Sequence, residues 1–282
     1  MFYQFSVGQL ECAVVSDGQP GPPFEPALHD YFTPDSGVPD DVLRAAAGRL
    51  TLTCGYNCLF VRTPDGMAVV DTGLGASFLG YGEYIEPLVG QLEAGMKSAG
   101  FSRSDLAAVV FTHLHQDHSR GAIWSGEARF PAAVAFAHAS ELAFWSGPVD
   151  APSAQPHIEA ARETIRLFGK RLRPFEHGAE LLPGVTTVAA AGHTPGHSAI
   201  LLESRGDRLL CVGDTFYDPL QLTNPDWATP WDLDQPASIT SRRAILERAA
   251  DEHLLIHAYH LPFPGLGRVE RSGAAFTWHP VC

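Results

Sequence analysis

Residues 2–17 alternate apolar and polar positions in two runs separated by Gly8-Gln9, a pattern that predicts an opening β-hairpin. Tyr56 to Arg62 and Met67 to Asp71 read as two more strands, joined by the turn Thr63-Pro64-Asp65-Gly66. Leu88, Val89, Leu92 and Met96 recur at helical spacing and predict a helix over Pro87 to Ala99, with Gly100 as its stop. The β-branched apolar run Ala107 to Phe111 reads as a buried strand, and Pro131 to Ala137 as another. Glu141 to Trp145 predicts a short helix, and Ile158, Ala161, Ile165 and Phe168 mark one face of a longer one. In the second half, Val185 to Ala191 is a strand, and Ala199–Glu203 and Leu209–Val212 form a hairpin through Arg205-Gly206-Asp207. A last helix carries Ile239, Arg243, Leu246, Ala249 and Ala250. The strand Leu254-Leu255-Ile256 follows, and a closing hairpin spans Gly267 to Trp278 around Ser272-Gly273. The halves share a rhythm, since one hairpin ends at Asp71 and its later counterpart at Asp214.

Between the first hairpin and the second lies a proline-rich loop over about 19–40, and Asp40 to Ala47 predicts a short helix capped by its aspartates. Phe24, Tyr31 and Phe32 on this loop suit a substrate lid or a homodimer contact, or they pin the loop to the core. No interdomain linker interrupts the pattern, so residues 1–282 read as one domain. The 19 basic against 32 acidic residues give a net charge of −13, which opposes binding to nucleic acid. No basic-then-apolar leader opens the sequence and no apolar run is long enough to span a membrane. Five cysteines, an odd number at 12, 54, 58, 211 and 282, read as reduced buried thiols of a cytoplasmic protein.

The chemistry concentrates immediately after the strand at 107–111. His113, His115, Asp117 and His118 place three imidazoles and a carboxylate within six residues. Positions i and i+2 project to one side of an extended chain, which brings His113 and His115 together. Nitrogen and carboxylate donors packed this tightly suit zinc, manganese or iron. The basic group Lys170, Arg171 and Arg173 reads more simply, as a solvated helix end, and His138 as a structural residue rather than a ligand.

This stretch resembles the His-x-His-x-Asp-His signature of the metallo-β-lactamase superfamily, and further motifs follow in that family's order. They are Val70-Asp71-Thr72-Gly73, Gly192-His193-Thr194-Pro195-Gly196-His197, Gly213-Asp214-Thr215 and a late His260. Tyr259 to Gly267 and the opening Ser16-Asp17-Gly18 are similar to the methyl parathion hydrolase branch. The resemblance implies an α/β fold, a four-layer αββα sandwich with the metal site at the shared sheet edge. It implies that His113, His115 and His193 hold one divalent ion and that Asp117, His118 and His260 hold a second, with Asp214 between them. Zinc is the first choice, with manganese, iron or cobalt as alternatives. Asp71 and His197 would support the ligands from behind.

The same resemblance implies a hydrolase in which a hydroxide bridging the two ions attacks a small-molecule substrate, with Asp117 managing its proton. Tyr217, three residues after Asp214, has the offset of a tyrosine that steadies the substrate carbonyl in acyl-homoserine lactonases. Read alone, Tyr217 is equally a loop packing residue. Phe78 and Trp145 fall where the branch places hydrophobic pocket walls. Lactone opening or ester cleavage is the leading expectation, and phosphotriester (organophosphate) hydrolysis the second. A mononuclear iron persulfide dioxygenase is the reading from another class, and it would use fewer of the seven donors.

Overall fold

Two seven-stranded sheets carry the fold, seen in a computed structural model that describes residues 1–19, 28, 32, 41, 51–75 and 89–281. The first sheet runs β1 (Phe2–Val7), β2 (Leu10–Gly18), β3 (Tyr56–Thr63), β4 (Gly66–Val70) and β5 (Leu106–Val110). A two-stranded ribbon, β6 (Ile123–Trp124) and β7 (Glu127–Ala128), stands apart, and β8 (Val134–His138) and β9 (Leu172–Phe175) complete the first sheet. The second sheet keeps sequence order: β10 (Glu180–Leu182), β11 (Val185–Ala189), β12 (Ser198–Ser204), β13 (Asp207–Cys211), β14 (Leu255–His257), β15 (Leu266–Ser272) and β16 (Ala275–Pro280).

Strand alternation builds the layers. In β3, Leu59 and Val61 face the second sheet, where they meet Ile200, Leu202, Leu209 and Cys211. Their neighbours Cys58 and Phe60 face outward instead, into a core covered by helices. Those helices are α1 (Leu92–Ser98), α3 (Ala139–Ser146) and α4 (Ile158–Phe168); the short α2 (Gln116–Ser119) belongs to the metal loop. Beyond the short α5 (Leu220–Thr223), α6 (Gln235–Asp251) covers the other sheet through Ile245, Leu246 and Ala249. The order of layers is helix, sheet, sheet, helix, as the resemblance implied.

Parallel pairing decides where chemistry can gather. β4 runs parallel to β5, and β13 parallel to β14, so each pair ends on the same side. Asp71 and the 113–118 loop leave the first pair, while Asp214 and His260 follow the second. The carboxyl ends of parallel strands, bordered by crossover connections, are where open α/β sheets leave room for ligands.

Several elements differ from the expectation. The helix expected from Pro87 starts at Leu92 among the described residues, because Asp17, far away in sequence, accepts the N–H groups of Gly90 and Leu92. The ribbon β6–β7, strand β10 and helix α5 were not expected at all. Arg171 is more than a solvated helix end, since its guanidinium bonds the carbonyls of Phe130 and Ala133. Phe24, Tyr31, Phe78 and the helix expected at 40–47 (Asp41 apart) lie outside the described residues. Phe32 is buried with Leu28, Leu52 and Leu220 and packs 5.8 Å from Trp227, which makes it a pin between loop and core. Cys12, Cys54, Cys58 and Cys211 are buried free thiols. No helix among the described residues is long and apolar enough to cross a membrane.

Candidate metal centre

The chain leaves β5 and turns under the control of Asp71, which adopts φ +57, a left-handed conformation that aspartate tolerates better than most residues. Its buried carboxylate accepts three hydrogen bonds, from the Thr112 N–H (2.9 Å), the Thr112 hydroxyl (2.7 Å) and His118 Nδ1 (2.8 Å). The loop is therefore moulded before any ion enters it.

These bonds also fix the imidazole tautomers, because a carboxylate or carbonyl can only accept. His118 donates Nδ1–H to Asp71, His193 donates to Asp232 (3.1 Å) and His260 to the Gly55 carbonyl (3.0 Å). The Thr112 hydroxyl spends its proton on Asp71, so toward His113 Nδ1 (3.1 Å) it accepts. In their neutral forms all four rings therefore leave Nε2 bare, and all four Nε2 atoms face Asp214. Its Oδ2 lies 3.3 Å from His193 and 3.8 Å from His113, and its Oδ1 lies 3.0 Å from His118 and 3.2 Å from His260. His115 turns its other nitrogen inward, with Nδ1 2.9 Å from His193 Nε2.

Two sets of donors result, each with its ligand atoms within 4.8 Å of one another: His113, His115, His193 and Asp214, then Asp117, His118, Asp214 and His260. Among the described residues, Nε2 of His113, His118 and His260 and Oδ1 of Asp214 are buried without a properly aligned hydrogen-bond partner. Orphaned buried acceptors cost free energy unless something electropositive meets them. A pair of divalent cations fits this donor set, in type, number and spacing.

Electrostatics agree. Burial holds His113 and His115 well below the usual imidazole range, which keeps their lone pairs available. At His118 burial works against the charge, but Asp214, Asp71 and Asp117 together outweigh it and raise the pKa to about 10. Three carboxylates around one small space demand positive charge there.

The supports come from scattered places. His197 donates Nδ1–H to the Ala190 carbonyl (2.8 Å) and accepts the Asp214 N–H on Nε2 (3.0 Å). Gly213 has φ +51, and a Cβ there would sit 2.6 Å from that same Nε2, so only glycine allows the contact. Tyr259 donates its hydroxyl to the Asp117 carbonyl (2.6 Å) and lays its ring against His118. His138 caps α3 by accepting the Ser140 N–H, a structural role.

Other supports had no announcement in the sequence. Glu141, wholly buried, accepts from Leu114 N–H and Trp145 Nε1 on one oxygen and from Thr194 Oγ1 and Gly196 N–H on the other. One carboxylate so ties the loop of His113 to the loop of His193. Asp232 carries His193 and is itself held by the buried Arg242 (3.5 Å), which also bonds the carbonyls of Thr215, Pro225 and Trp227. The Cys54 thiol lies 3.2 Å from His260 Nδ1. A lone Glu, Asp or Cys in an apolar stretch gives no spacing to recognise, and only the tertiary approach reveals it.

Tyr217 is buried, with its hydroxyl 3.1 Å from His193 Nδ1 and its ring stacked 5.1 Å from His260, so it reaches both donor sets. Trp145 is fully buried behind His115, its ring 5.7 Å away and edge-on.

Comparison with known proteins agrees with this geometry. Residues 52–260 match the family model described as the metallo-beta-lactamase superfamily. The chain belongs to that superfamily. It is similar to a probable metallo-hydrolase of Mycobacterium tuberculosis, 27% identical over 76% of each chain. It is also similar to an N-acyl homoserine lactonase of a Bacillus species, 26% identical over 56% of this chain and 63% of that one. Among solved structures, AidC, a dizinc quorum-quenching lactonase in complex with a product N-hexnoyl-L-homoserine, superposes with a TM-score of 0.88. It is 24% identical, and the match covers 100% of this chain and 97% of AidC. The hydrolase AbOPH of the beta-lactamase superfamily superposes at 0.85 with 22% identity over the same shares. These structures share the fold of this chain, a metal-dependent hydrolase with donors for two divalent ions.

Proposed function

We propose that this hydrolase opens lactones, with N-acyl homoserine lactones as the first class to test. One observation carries the reading: Asp214 turns one carboxylate oxygen to each donor set, with the Tyr217 hydroxyl 3.1 Å from His193 of the first set and its ring stacked on His260 of the second. His113, His115, His193 and Asp214 Oδ2 would hold one cation, and Asp117, His118, His260 and Asp214 Oδ1 the other. Cations held there would supply a water acidified toward neutrality and would polarise the ester carbonyl, and zinc suits the mixed imidazole and carboxylate set.

The remaining steps belong to side chains. Asp117, whose side chain is 20% exposed, is the ligand that solvent reaches. It can take the proton from the attacking water and return it to the ring oxygen as the ester bond breaks, giving a hydroxy acid. Negative charge builds on the carbonyl oxygen, and the Tyr217 O–H is a neutral donor to it. Support also comes from the lactonases among the relatives and structural neighbours.

Phosphotriester hydrolysis uses the same centre but a different leaving group. An aryloxide departs with little help, whereas a lactone's alkoxide needs a proton and its oxyanion needs a donor. Tyr217→Phe should therefore lower lactone turnover about tenfold, less than the 10²–10³ of a site relying on hydrogen bonds alone, and phosphotriester turnover less. Both rates are to be measured at equal metal content. An unchanged lactone rate, with a faster wild-type rate on the phosphotriester, reverses the order of the two readings. A metal content of one iron per chain would point to the dioxygenase reading instead.

A further inference from the structure

Beside its seven donors the centre holds two further imidazoles, His197, which braces Asp214, and His157. His157 ends the turn that leads into α4, is 8% exposed, and lays its ring 3.9 Å from that of His115 at 22°. Its Nδ1 accepts the Gln116 N–H (3.3 Å), so its proton sits on Nε2. That Nε2–H is buried and has no partner among the described residues. One ring nitrogen of His157 lies within 4.8 Å of donor atoms on His115 and Asp117.

Three roles compete. A third cation position fails on geometry, because stacked rings aim their nitrogens in nearly parallel planes, and the nitrogen not bonded to Gln116 carries a proton. A brace for the metal loop accounts for the stack and for the Gln116 bond. It leaves the second nitrogen unexplained, since a phenyl ring would stack without burying a donor that has no acceptor. A donor to something that arrives accounts for both nitrogens.

The surroundings say what arrives. The rings of Tyr217, His193, His115 and His157 follow one another at 5.9, 4.6 and 3.9 Å. Tyr217 serves the scissile carbonyl at one end of this series, so His157 at the other end meets a different oxygen. Gln116, whose N–H it accepts, buries its own Oε1 without a partner among the described residues. An unmet donor and an unmet acceptor on these two bonded residues complement a secondary amide, which offers one carbonyl and one N–H.

We infer that His157 is a specificity-determining residue, its Nε2–H donating to the carbonyl oxygen of an amide carried on the carbon next to the lactone carbonyl. The assignment rests on the lactone reading. Its test uses the metal-loaded protein, an N-acyl homoserine lactone, and a γ-lactone of equal chain length without the amide. His157→Asn keeps an acceptor for Gln116 but loses the Nε2 donor, whereas His157→Gln places an amide donor near the Nε2 position and loses the acceptor.

His157→Asn should lose about tenfold in kcat/KM on the amide-bearing lactone, mostly through KM, and less than about twofold on the plain lactone. His157→Gln should recover most of the loss. Calorimetric affinity for the ring-opened N-acyl product should fall by the same factor in His157→Asn, with metal content and melting temperature near wild type. Equal losses on both lactones, or lost metal in His157→Asn with no recovery in His157→Gln, would leave only the brace and overturn the assignment. If wild type opens neither lactone yet cleaves a phosphotriester, the lactone reading falls and takes this role with it. If wild type opens both and the ratio between them survives His157→Asn, this role alone falls.

Discussion

The two donor sets share Asp214 but are built differently. The first has three imidazoles, all buried, backed by a second tier of rings: His157 on His115, Trp145 edge-on behind it, and Tyr217 across His193. The second includes Asp117, the most exposed of the seven donors, and is held by polar bonds, Asp71 on His118, and Gly55 and Cys54 on His260. Hydrogen bonds to Asp232 and Thr112 also hold the first set, and the rings of Tyr259 and Tyr217 also flank the second, so the clearest difference between them is exposure. A cation in the first is screened from solvent, while the second presents a carboxylate that water can reach. The first set is thus suited to fixing the substrate carbonyl, and the second to moving protons.

The largest disturbance should come from the residue that belongs to both. Asp214→Ala should strip both ions and lower turnover by about 10³, the scale of losing metal assistance to the transition state. Elemental analysis beside kinetics checks this, and retention of both ions with normal turnover would show that Asp214 joins neither set. Smaller and more selective effects should follow from the carboxylates behind the ligands. Loss of such a partner typically costs about 10–100-fold in metal affinity. Asp232→Asn should weaken one ion of the two, because Asp232 touches only His193 among the seven donors. Asp71→Asn should weaken both unequally, since Asp71 holds His118 directly and His113 through Thr112. Stepwise chelator titration reads the difference, and identical curves for the two variants would erase the distinction between the sets.

The smallest effect tests the packed set. Trp145→Phe keeps a ring behind His115 but removes the N–H bonded to Glu141, at a cost of about 1–3 kcal/mol for a hydrogen bond to a charged acceptor. Denaturant melts should record that loss, while KM for bulky substrates changes little. A large rise in KM with unchanged stability would instead make Trp145 a wall that substrate touches.

Much of this centre was legible because coordination chemistry demands several donors close together, and a short loop is the cheapest way to supply them. His113, His115, Asp117 and His118 announce themselves for that reason. Glu141, Asp232, Arg242 and Cys54 do not, because each acts alone across a distance that only folding closes. His157 stood in a Pro- and Gln-containing segment with no donor spacing to mark it. In the fold, the long alternating strands were readable, whereas β6, β7 and β10 have two or three residues and no period to detect. The start of α1 was misplaced because the group that sets it is a carboxylate on β2.

The bond between Cys54 and His260 joins residues 206 apart in sequence, whereas His115 meets His193 across 78. Loop entropy alone separates these closures by less than about 1 kcal/mol. Order of events separates them further, because His260 can arrive only after β14 has docked beside β13, and contacts of long sequence span form late and slowly. Every residue of the first donor set lies at or before Asp214, whereas the second is incomplete until His260 arrives. A chain folded only as far as Asp214 would thus offer three histidines and that carboxylate to a cation while the second position still lacked one donor.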